Sequence, residues 1–231
     1  MLEPLNDEHL SFYVRQITRA QEEERLRIAR DLHDSTIQSL VAISHDLERF
    51  LAETGQCDMP TVRFLLKLDD QIKTVLKEVR NFSQNLRPSI IDHLGLLPSI
   101  EYLVAELRKK YQIAGTICII GNPCRFQPEV EINLFRIAQE ALQNIVRHSH
   151  ATTAKVLMEF ASEKISITIV DDGIGMPDLP QSSTGFLKQG KLGLAGMAER
   201  VRLLQGSIRM TSEAGKGTTI TIILNKAGHV V

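Results

Sequence analysis

The feature that most constrains the fold is a run of small and apolar residues early in the chain, spaced alternately three and four apart. Its members are Leu26, Ala29, His33, Thr36, Leu40, Ile43, Leu47 and Phe50. This spacing predicts a helix that packs its seam against other helices. His33 occupies a seam position where leucine is expected, so an ionisable imidazole lies on the face that should be buried.

The neighbours of His33 make it a candidate for chemistry. A lone histidine in such a seam is more often a polar residue that sets the register of a bundle, or a core histidine with its hydrogen bonds satisfied. Asp34 follows directly and can accept a proton from the imidazole or orient it. Gln38 shares the helix face of Asp34 and lies about 140° around an α-helix from His33. The three residues predict an exposed polar surface beside the seam.

The first 88 residues are predicted to form a helical hairpin. Helical periodicity covers 12–51, a break follows at 53–60, and then comes a second apolar period. Its members are Val62, Leu65, Leu66, Leu68, Ile72, Val75, Leu76, Val79 and Phe82. Two helices alone leave a seam half exposed, so we expect a homodimer that completes a four-helix bundle. Pro88 cannot continue the second helix, which places the domain boundary between 1–88 and 89–231.

Beyond residue 88 the pattern mixes helix and strand. Helices are predicted at 99–111, 128–148 and 193–205, and strands at 116–120, 155–160, 164–170, 207–212 and 218–224. Ile165, Ile167 and Ile169 alternate with polar residues, as in a strand with one buried face. Short connections predict two hairpins, one from the second and third strands and one from the last two. The predicted class is α+β, a helical hairpin followed by a two-layer α/β sandwich.

Composition excludes several classes of protein. A formal net charge of −1 gives no bulk electrostatic reason to bind nucleic acid or an anionic membrane. Cys57, Cys118 and Cys124 are odd in number and lack CxxC spacing, so we expect neither a disulfide framework nor a zinc site. The N-terminus is acidic where a signal peptide would be basic, and no apolar run approaches membrane-spanning length. We expect the chain to be cytoplasmic. This expectation includes the case in which the chain is the cytoplasmic part of a membrane sensor.

Of four short motifs in the second half, one has residues suited to a metal ion and another has residues suited to a nucleobase. Glu140 and Asn144 lie one helical turn apart, and a carboxylate with an amide oxygen suits Mg²⁺; a solvated helix face explains the pair equally well. Asp171 ends an apolar strand and is followed by Gly173 and Gly175, which allow a tight turn and close approach to a ligand. Its carboxylate could accept a hydrogen bond from an exocyclic amine, although a simple turn after the strand explains the same residues.

The other two motifs are rich in glycine. The last part of the stretch 185–196, from Gly190 onward, is predicted to open a helix, and amide groups at a helix start bind phosphate oxygens. Gly215-Lys216-Gly217-Thr218 is, by itself, more typical of a hairpin turn. Each signal is weak alone, but chance assembly of all four in this order on an α/β sandwich is improbable.

The order of these motifs resembles the ATP-binding fold shared by histidine kinases, gyrase, Hsp90 and MutL. That resemblance rests on Glu140-x-x-x-Asn144, Asp171-x-Gly173-x-Gly175, Gly193-Leu194-x-Gly196-Met197 and Gly215-x-Gly217-Thr218. The first half resembles sensor histidine kinases of the nitrate-sensor and desaturase-thermosensor type. It does so through Arg27-Ile28-Ala29-Arg30-Asp31-Leu32-His33-Asp34 with Gln38, Leu86-Arg87-Pro88 and Leu94-Gly95-Leu96.

The resemblance implies a role for each matching residue. His33 would be the phosphoacceptor, Asp34 its general base, and Gln38 the residue that positions water when the partner is dephosphorylated. Glu140 and Asn144 would serve Mg²⁺. The implied nucleotide-binding residues are Asn144, Arg147, His148, Asp171, Gly173, Gly175, Gly193, Leu194, Gly196 and Thr218.

Within that set, the resemblance implies that Arg147 and His148 contact the phosphates, Asp171 binds the adenine amine, and Thr218 supports the adenine side. One departure from the family pattern is Lys191, at a position two residues before Gly193 where many relatives carry glycine.

The implied activity is autophosphorylation of His33 by ATP and transfer to an aspartate of a response regulator with a receiver domain, together with dephosphorylation of that regulator. A lid at 176–192 would order over ATP, and the ATP domain would move about Pro88. Two rival classes remain open. One is an ATP-dependent clamp like Hsp90, which would use the same nucleotide pocket but would give the His33-Asp34 pair no function. The other is a non-catalytic dimeric scaffold, which would need only the helical hairpin.

Overall fold

The computed structural model describes residues 7–53, 59–86, 91, 94–180 and 183–230. The chain divides into two compact units, one formed by Arg19–Ser89 and the other by Ile90–Val231 together with Met1–Thr18. Residues 54–58, the middle of the predicted break at 53–60, lie outside the described residues. The predicted hinge at Pro88 also lies outside them. None of the described helices combines the length and apolar character needed to cross a bilayer.

The first half of the chain is helical, as predicted. Its elements are α1 (Asp7–Asp31), a first π-turn (Leu32–Ile37), α2 (Gln38–Glu53) and α3 (Met59–Leu86). The π-turn interrupts a helix that periodicity alone predicted to be continuous. Inside it, Ser35 Oγ donates a hydrogen bond of 2.7 Å to the Asp31 carbonyl, a side-chain contact of the kind that bends helices.

The π-turn also corrects the predicted seam. In the hairpin, the buried positions of the first arm are Ala29, Ile37 and Ser44, whereas Ile43 and Phe50 are 51% and 49% exposed. The step from Ala29 to Ile37 is eight residues instead of seven, because a π-turn adds one residue to the helix. Ile37 and Ser44 are therefore buried in place of the predicted Thr36 and Ile43, a shift of one residue that the regular spacing in the sequence did not reveal.

A polar cluster joins the two arms of the hairpin. Ser44 Oγ donates a hydrogen bond of 3.0 Å to Asp69 Oδ1, and both residues are buried. Lys73 Nζ lies 2.7 Å from Asp69 Oδ2 and 2.7 Å from Glu48 Oε1. The Lys73 ammonium holds the pKa of Asp69 below its usual value. This cluster gives the hairpin a specific register, because a slipped pairing would bury Ser44 or Asp69 without its partner.

The second half is an α/β sandwich, as predicted. Its elements are α4 (Leu96–Tyr111), β1 (Ala114–Gly121), α5 (Pro128–Asn144), a second π-turn (Ile145–Ser149), β2 (Thr153–Phe160), β3 (Lys164–Asp171), α6 (Ser183–Lys188), α7 (Leu192–Leu203), β4 (Ser207–Glu213) and β5 (Gly217–Asn225). The sheet order is β1-β2-β3-β5-β4. Among the described elements of this half, α6 and the second π-turn were not predicted from periodicity.

Strand pairing follows the predicted hairpins. β2 pairs with β3, and β4 with β5, in antiparallel fashion, while β1 joins β2 in parallel at one edge. β3 and β5 are central neighbours, and Ile169 lies opposite Ile220. On β3, Ile165, Ile167 and Ile169 are buried under the helices. The helices α4, α5 and α7 contribute the other side of a single core, so the sandwich has two layers.

Candidate functional site

A cavity of about 510 Å³ opens at one end of the sandwich, a volume typical of small-ligand sites. Four segments line it: the end of α5 with the second π-turn, the end of β3, the start of α7, and the start of β5. The lining residues are Glu140, Ala141, Asn144, Ile145, Arg147, His148, Ser149, Ile169, Asp171, Gly175, Met176, Gly190, Lys191, Leu192, Gly193, Leu194, Thr218 and Ile220.

Asp171 gives the cavity a buried acceptor. It is the last residue of β3 and is 6% exposed, with Ile169 and Ile220 among the neighbouring cavity residues. Burial raises the pKa of its carboxyl group, and the backbone of Gly173, whose N–H donates to Oδ1 at 2.9 Å, partly opposes that rise. The combination of apolar walls and one oriented acceptor suits a flat heterocycle that carries an amine.

Ser212 holds the backbone around this acceptor. Its Oγ accepts a hydrogen bond of 2.7 Å from the Met176 N–H and lies 2.9 Å from Thr218 Oγ1. Gly175, between the two segments, has φ of +69°, and a Cβ there would collide with the Glu213 carbonyl oxygen. Glycine is therefore required where the chain leaves β3 and crosses the β4–β5 hairpin.

Glu140 and Asn144 face the cavity from α5. The Asn144 side-chain nitrogen is buried and has no hydrogen-bond partner among the residues that the structure describes. A buried donor without a partner costs about 1–3 kcal/mol, which a bound ligand would relieve. Gly193 approaches Glu140 so closely that a Cβ would collide with Oε1. The first turn of α7 and the Glu140 carboxylate are thus in close contact in the lining of the cavity.

These two oxygen-bearing side chains fit a magnesium ion only in part. No cluster of three or more histidine, cysteine or acidic residues suited to a metal occurs in the described portion of the chain. Magnesium in nucleotide sites commonly takes one or two protein ligands and completes its shell with water and phosphate oxygens. Glu140 and the Asn144 side-chain oxygen have the chemistry for that limited share.

The second π-turn carries two basic side chains that the sequence singled out. Arg147 and His148 are exposed and line the cavity from this turn. Ser149 is the last residue of this turn. Its Oγ donates a hydrogen bond of 2.7 Å to the Ile145 carbonyl, and its own carbonyl accepts one of 2.8 Å from the Ile174 N–H. π-turns are rare and often occur at functional sites. In the described residues there are two, and each contains residues that the sequence singled out.

The structure brings most of the predicted nucleotide residues together. Residues separated by up to 78 positions, from Glu140 to Thr218, line one cavity. Gly173 and Gly196 do not line it. Gly173 instead packs so tightly on Ser149 that a Cβ would collide with the Ser149 carbonyl, while a Cβ at Gly196 would meet nothing within 4 Å.

The phosphoacceptor candidates lie in the helical unit. His33 and Asp34 are in the first π-turn, and Gln38 is the first residue of α2. Asp34 and Gln38 are exposed, whereas the side chain of His33 lies outside what the structure describes. Gln38 directly follows the π-turn, and its backbone N–H donates to the Ser35 carbonyl. The predicted angle of about 140° between His33 and Gln38 holds only for a regular α-helix.

Sequence reasoning missed several residues of the cavity. Ile169 and Ile220 were recognisable as buried by strand alternation, but nothing local indicated that they form its wall. Ser212 sits in a strand with no motif, and its hydrogen bonds depend on a fold that brings Met176 to it. Lys191 was noticed only as a departure from a pattern, and its side chain lines the cavity.

Comparison with known families agrees with this geometry. Residues 24–90 match the family described as histidine kinase. Residues 129–228 match the histidine kinase-, DNA gyrase B- and HSP90-like ATPase family. The first match contains the π-turn with His33, and the second contains every segment that lines the cavity.

Three relatives align over most of the chain. The signal transduction histidine-protein kinase/phosphatase DegS of Brevibacillus brevis is 35% identical, covering 90% of this chain and 52% of the relative. The oxygen sensor histidine kinase NreB of Staphylococcus carnosus is 31% identical, covering 88% and 56%. The sensor histidine kinase ComP of Bacillus subtilis is 31% identical, covering 85% and 26%.

The chain therefore spans about half, or less, of the length of these relatives. The resemblance inferred from short motifs is confirmed by matches that cover both halves in the expected order. This chain belongs to the sensor histidine kinases, with a histidine kinase helical region followed by an ATPase domain of the gyrase B and HSP90 type.

Proposed function

We propose that this chain transfers the γ-phosphoryl group of ATP to His33 and then to an aspartate of a response regulator. The observation that carries the proposal is the cavity in which Asp171, Asn144 and the start of α7 meet. It combines a dry acceptor for an adenine amine with an unpartnered amide and a helix start suited to phosphate. The two proposed domains are 1–88, for dimerisation and phosphoacceptance, and 89–231, for ATP binding.

The chemistry requires an in-line nucleophile and a base. One ring nitrogen of neutral His33 attacks the γ-phosphorus, a phosphorus–nitrogen bond forms, and the bond to the bridging oxygen breaks to release ADP. The proton on the other ring nitrogen passes to Asp34. An aspartate of the regulator then attacks the same phosphorus and regenerates the imidazole. Because ATP and such regulators occur in the cytoplasm, we place the chain there.

Around ATP, the proposed contacts follow the cavity. Asp171 accepts from the adenine amine, and Arg147 and His148 approach the phosphates from the second π-turn. Glu140 and Asn144 would hold Mg²⁺, which offsets charge on the phosphate oxygens when it is bound. Of the remaining proposed residues, Gly175, Gly193, Leu194 and Thr218 line the cavity, whereas Gly173 and Gly196 would act from outside its lining.

Incubation of the purified chain with γ-labelled ATP and Mg²⁺ tests this function against its rivals. A histidine kinase retains label on the protein. A conformational clamp releases phosphate without becoming labelled, and a scaffold does neither. The assay requires no knowledge of the signal or of the regulator.

The proposed functional unit is a homodimer. On the described part of the hairpin, large apolar side chains remain exposed, and among them Ile43, Phe64 and Phe82 are each more than half exposed. A hairpin with this much uncovered apolar surface is expected to pair with a second copy into a four-helix bundle.

Ile43→Asp should convert this dimer to a monomer, because a carboxylate in an apolar interface would be buried without a partner. Since Ile43 is exposed in the single chain, the hairpin itself should remain helical by circular dichroism. His45→Asp introduces the same charge on the opposite side of α2 and should leave the dimer intact. Light scattering at micromolar concentration distinguishes the two, and a monomeric parent chain would contradict the bundle.

Phosphatase activity toward the regulator is the second part of the proposal. Gln38 offers an amide that donates and accepts hydrogen bonds and could orient a water molecule for attack on a phospho-aspartate. An amide has no basicity at neutral pH, so the Gln38 side chain should contribute little to autophosphorylation.

Gln38→Ala should therefore retain autophosphorylation and phosphotransfer but slow regulator dephosphorylation by about tenfold or more. Purified phospho-regulator is mixed with parent chain or variant and its decay is followed. Gln21→Ala, which removes an exposed glutamine from α1, should behave as the parent chain. Equal decay rates for the parent and Gln38→Ala would remove Gln38 from the site.

A further inference from the structure

Lys191 is a charged residue of the cavity for which the proposed function has no role. It lies directly before α7, and its backbone is fixed on both sides. Its N–H donates to the Phe186 carbonyl at 2.8 Å, and its carbonyl accepts from Ala195 at 3.1 Å. With the backbone anchored to α6 and α7, the side chain can reach only the adjoining part of the cavity, which it lines.

The ammonium group of Lys191 has a weak partner. Its Nζ lies 2.9 Å from the sulfur of Met176, and a thioether is an uncharged, poor acceptor. In the described part of the chain no carboxylate pairs with it, whereas Lys216 at the nearby hairpin turn lies 2.7 Å from Glu213. Ammonium groups are strongly hydrated point charges, so a half-buried one against sulfur would exchange that contact for an anion.

The position of Lys191 adds to this unbalanced charge. It precedes the twelve-residue helix α7, whose N-terminal end carries partial positive charge. A lysine at that end is unfavourable unless an anion lies nearby. The buried Asn144 nitrogen without a partner lines the same cavity. The Lys191 cation at the start of α7 and the orphan Asn144 donor on α5 are both suited to an anionic group.

We propose that Lys191 is a specificity-determining residue that binds a phosphate oxygen of the nucleotide, exchanging the Met176 sulfur for it. The inference rests on the proposed function, because phosphate is the anionic part of the proposed substrate. Lys191 thereby favours phosphorylated nucleotides over the nucleoside.

Calorimetric titration of the full chain with ATP and with adenosine tests the inference. Lys191→Met keeps the length and apolar part of the side chain and should weaken ATP binding by about tenfold, as expected for a partly exposed charge-assisted hydrogen bond. Adenosine binding should be unchanged. Lys191→Arg should restore most of the ATP affinity, and the affinity of Lys191→Met for ATP should depend less on added salt than that of the parent.

Lys164→Met is the matched control. It removes the same charge from an exposed lysine at the start of β3, which does not line the cavity, and its ATP affinity should equal that of the parent. Unchanged ATP affinity in Lys191→Met, or an equal loss for ATP and adenosine, would overturn the role of Lys191 while leaving the ATP site in place. A parent chain that binds no ATP would overturn the proposed function and this inference together.

Discussion

His33→Gln should abolish labelling of the protein by γ-labelled ATP completely, because no other group of the first π-turn is a nitrogen nucleophile of comparable strength. Glutamine keeps a polar side chain of similar size but lacks a ring nitrogen that can attack phosphorus. ATP affinity measured by calorimetry should equal that of the parent chain, since the cavity is built entirely from residues 140–220.

The control for this prediction is His45→Gln, in the same hairpin. His45 is exposed on α2 and lies outside the π-turn, so its replacement should leave labelling unchanged. Label on the parent chain should be lost in acid and persist in base, as expected for a phosphoimidazole. Label that survives in His33→Gln would assign the phosphoacceptor to another residue.

Asp171→Ala should weaken ATP binding by about 100-fold, the effect expected when an ionised acceptor is removed from a dry pocket. The adenine amine would then enter the cavity without a partner. Because burial raises the pKa of Asp171, ATP affinity in the parent chain should also fall on acidification, and at a higher pH than for an exposed aspartate. Calorimetry across a pH series measures both effects.

Asp172→Ala separates this role from general damage to the turn. Asp172 is exposed and does not line the cavity, but it accepts backbone hydrogen bonds from Thr152 and Thr153 at 2.9 and 2.8 Å. Its loss should lower thermal stability while ATP affinity is retained. Unchanged affinity in Asp171→Ala would require the adenine site to be placed elsewhere.

The stability effect of Asp172 has a defined pH dependence. The hydrogen bonds from the Thr152 and Thr153 segment lower its pKa to about 2. Since a lowered carboxyl pKa stabilises the fold above the unfolded-state pKa, the difference in melting temperature between parent and Asp172→Ala should be full at neutral pH. It should shrink as the pH falls toward 2, where the carboxylate of the parent becomes protonated.

Periodicity located the elements well but not the irregular turns between them. Alternation at Ile165, Ile167 and Ile169 was enough to place β3 and its buried face, because a half-buried strand imposes that pattern locally. The first π-turn had no such signal. It adds one residue to a helix whose sequence reads as continuous, and the shift is visible only in the burial of Ile37 and Ser44 in place of Thr36 and Ile43.

For the cavity, too, the sequence predicted some residues and missed others. Asp171, Asn144 and Gly193, which line the cavity, could be singled out as candidates because each lies in a short motif whose residue types suit one ligand group. The sequence could not predict that Ser212 supports the Met176 backbone or that Lys191 lies against the Met176 sulfur. Those contacts depend on how β3, β5 and α7 are placed relative to one another.

By itself, the sequence determined the class of each element, the order of the two halves, and the residue types available for phosphoryl transfer. These properties are local, since helical and strand periods and turn residues act within a few positions. Only the tertiary structure decided which of those residues share a cavity, which glycines are held by packing, and where the helix with His33 departs from α geometry. The reason is that sheet register and helix packing bring together residues far apart in sequence, and no local pattern contains that information.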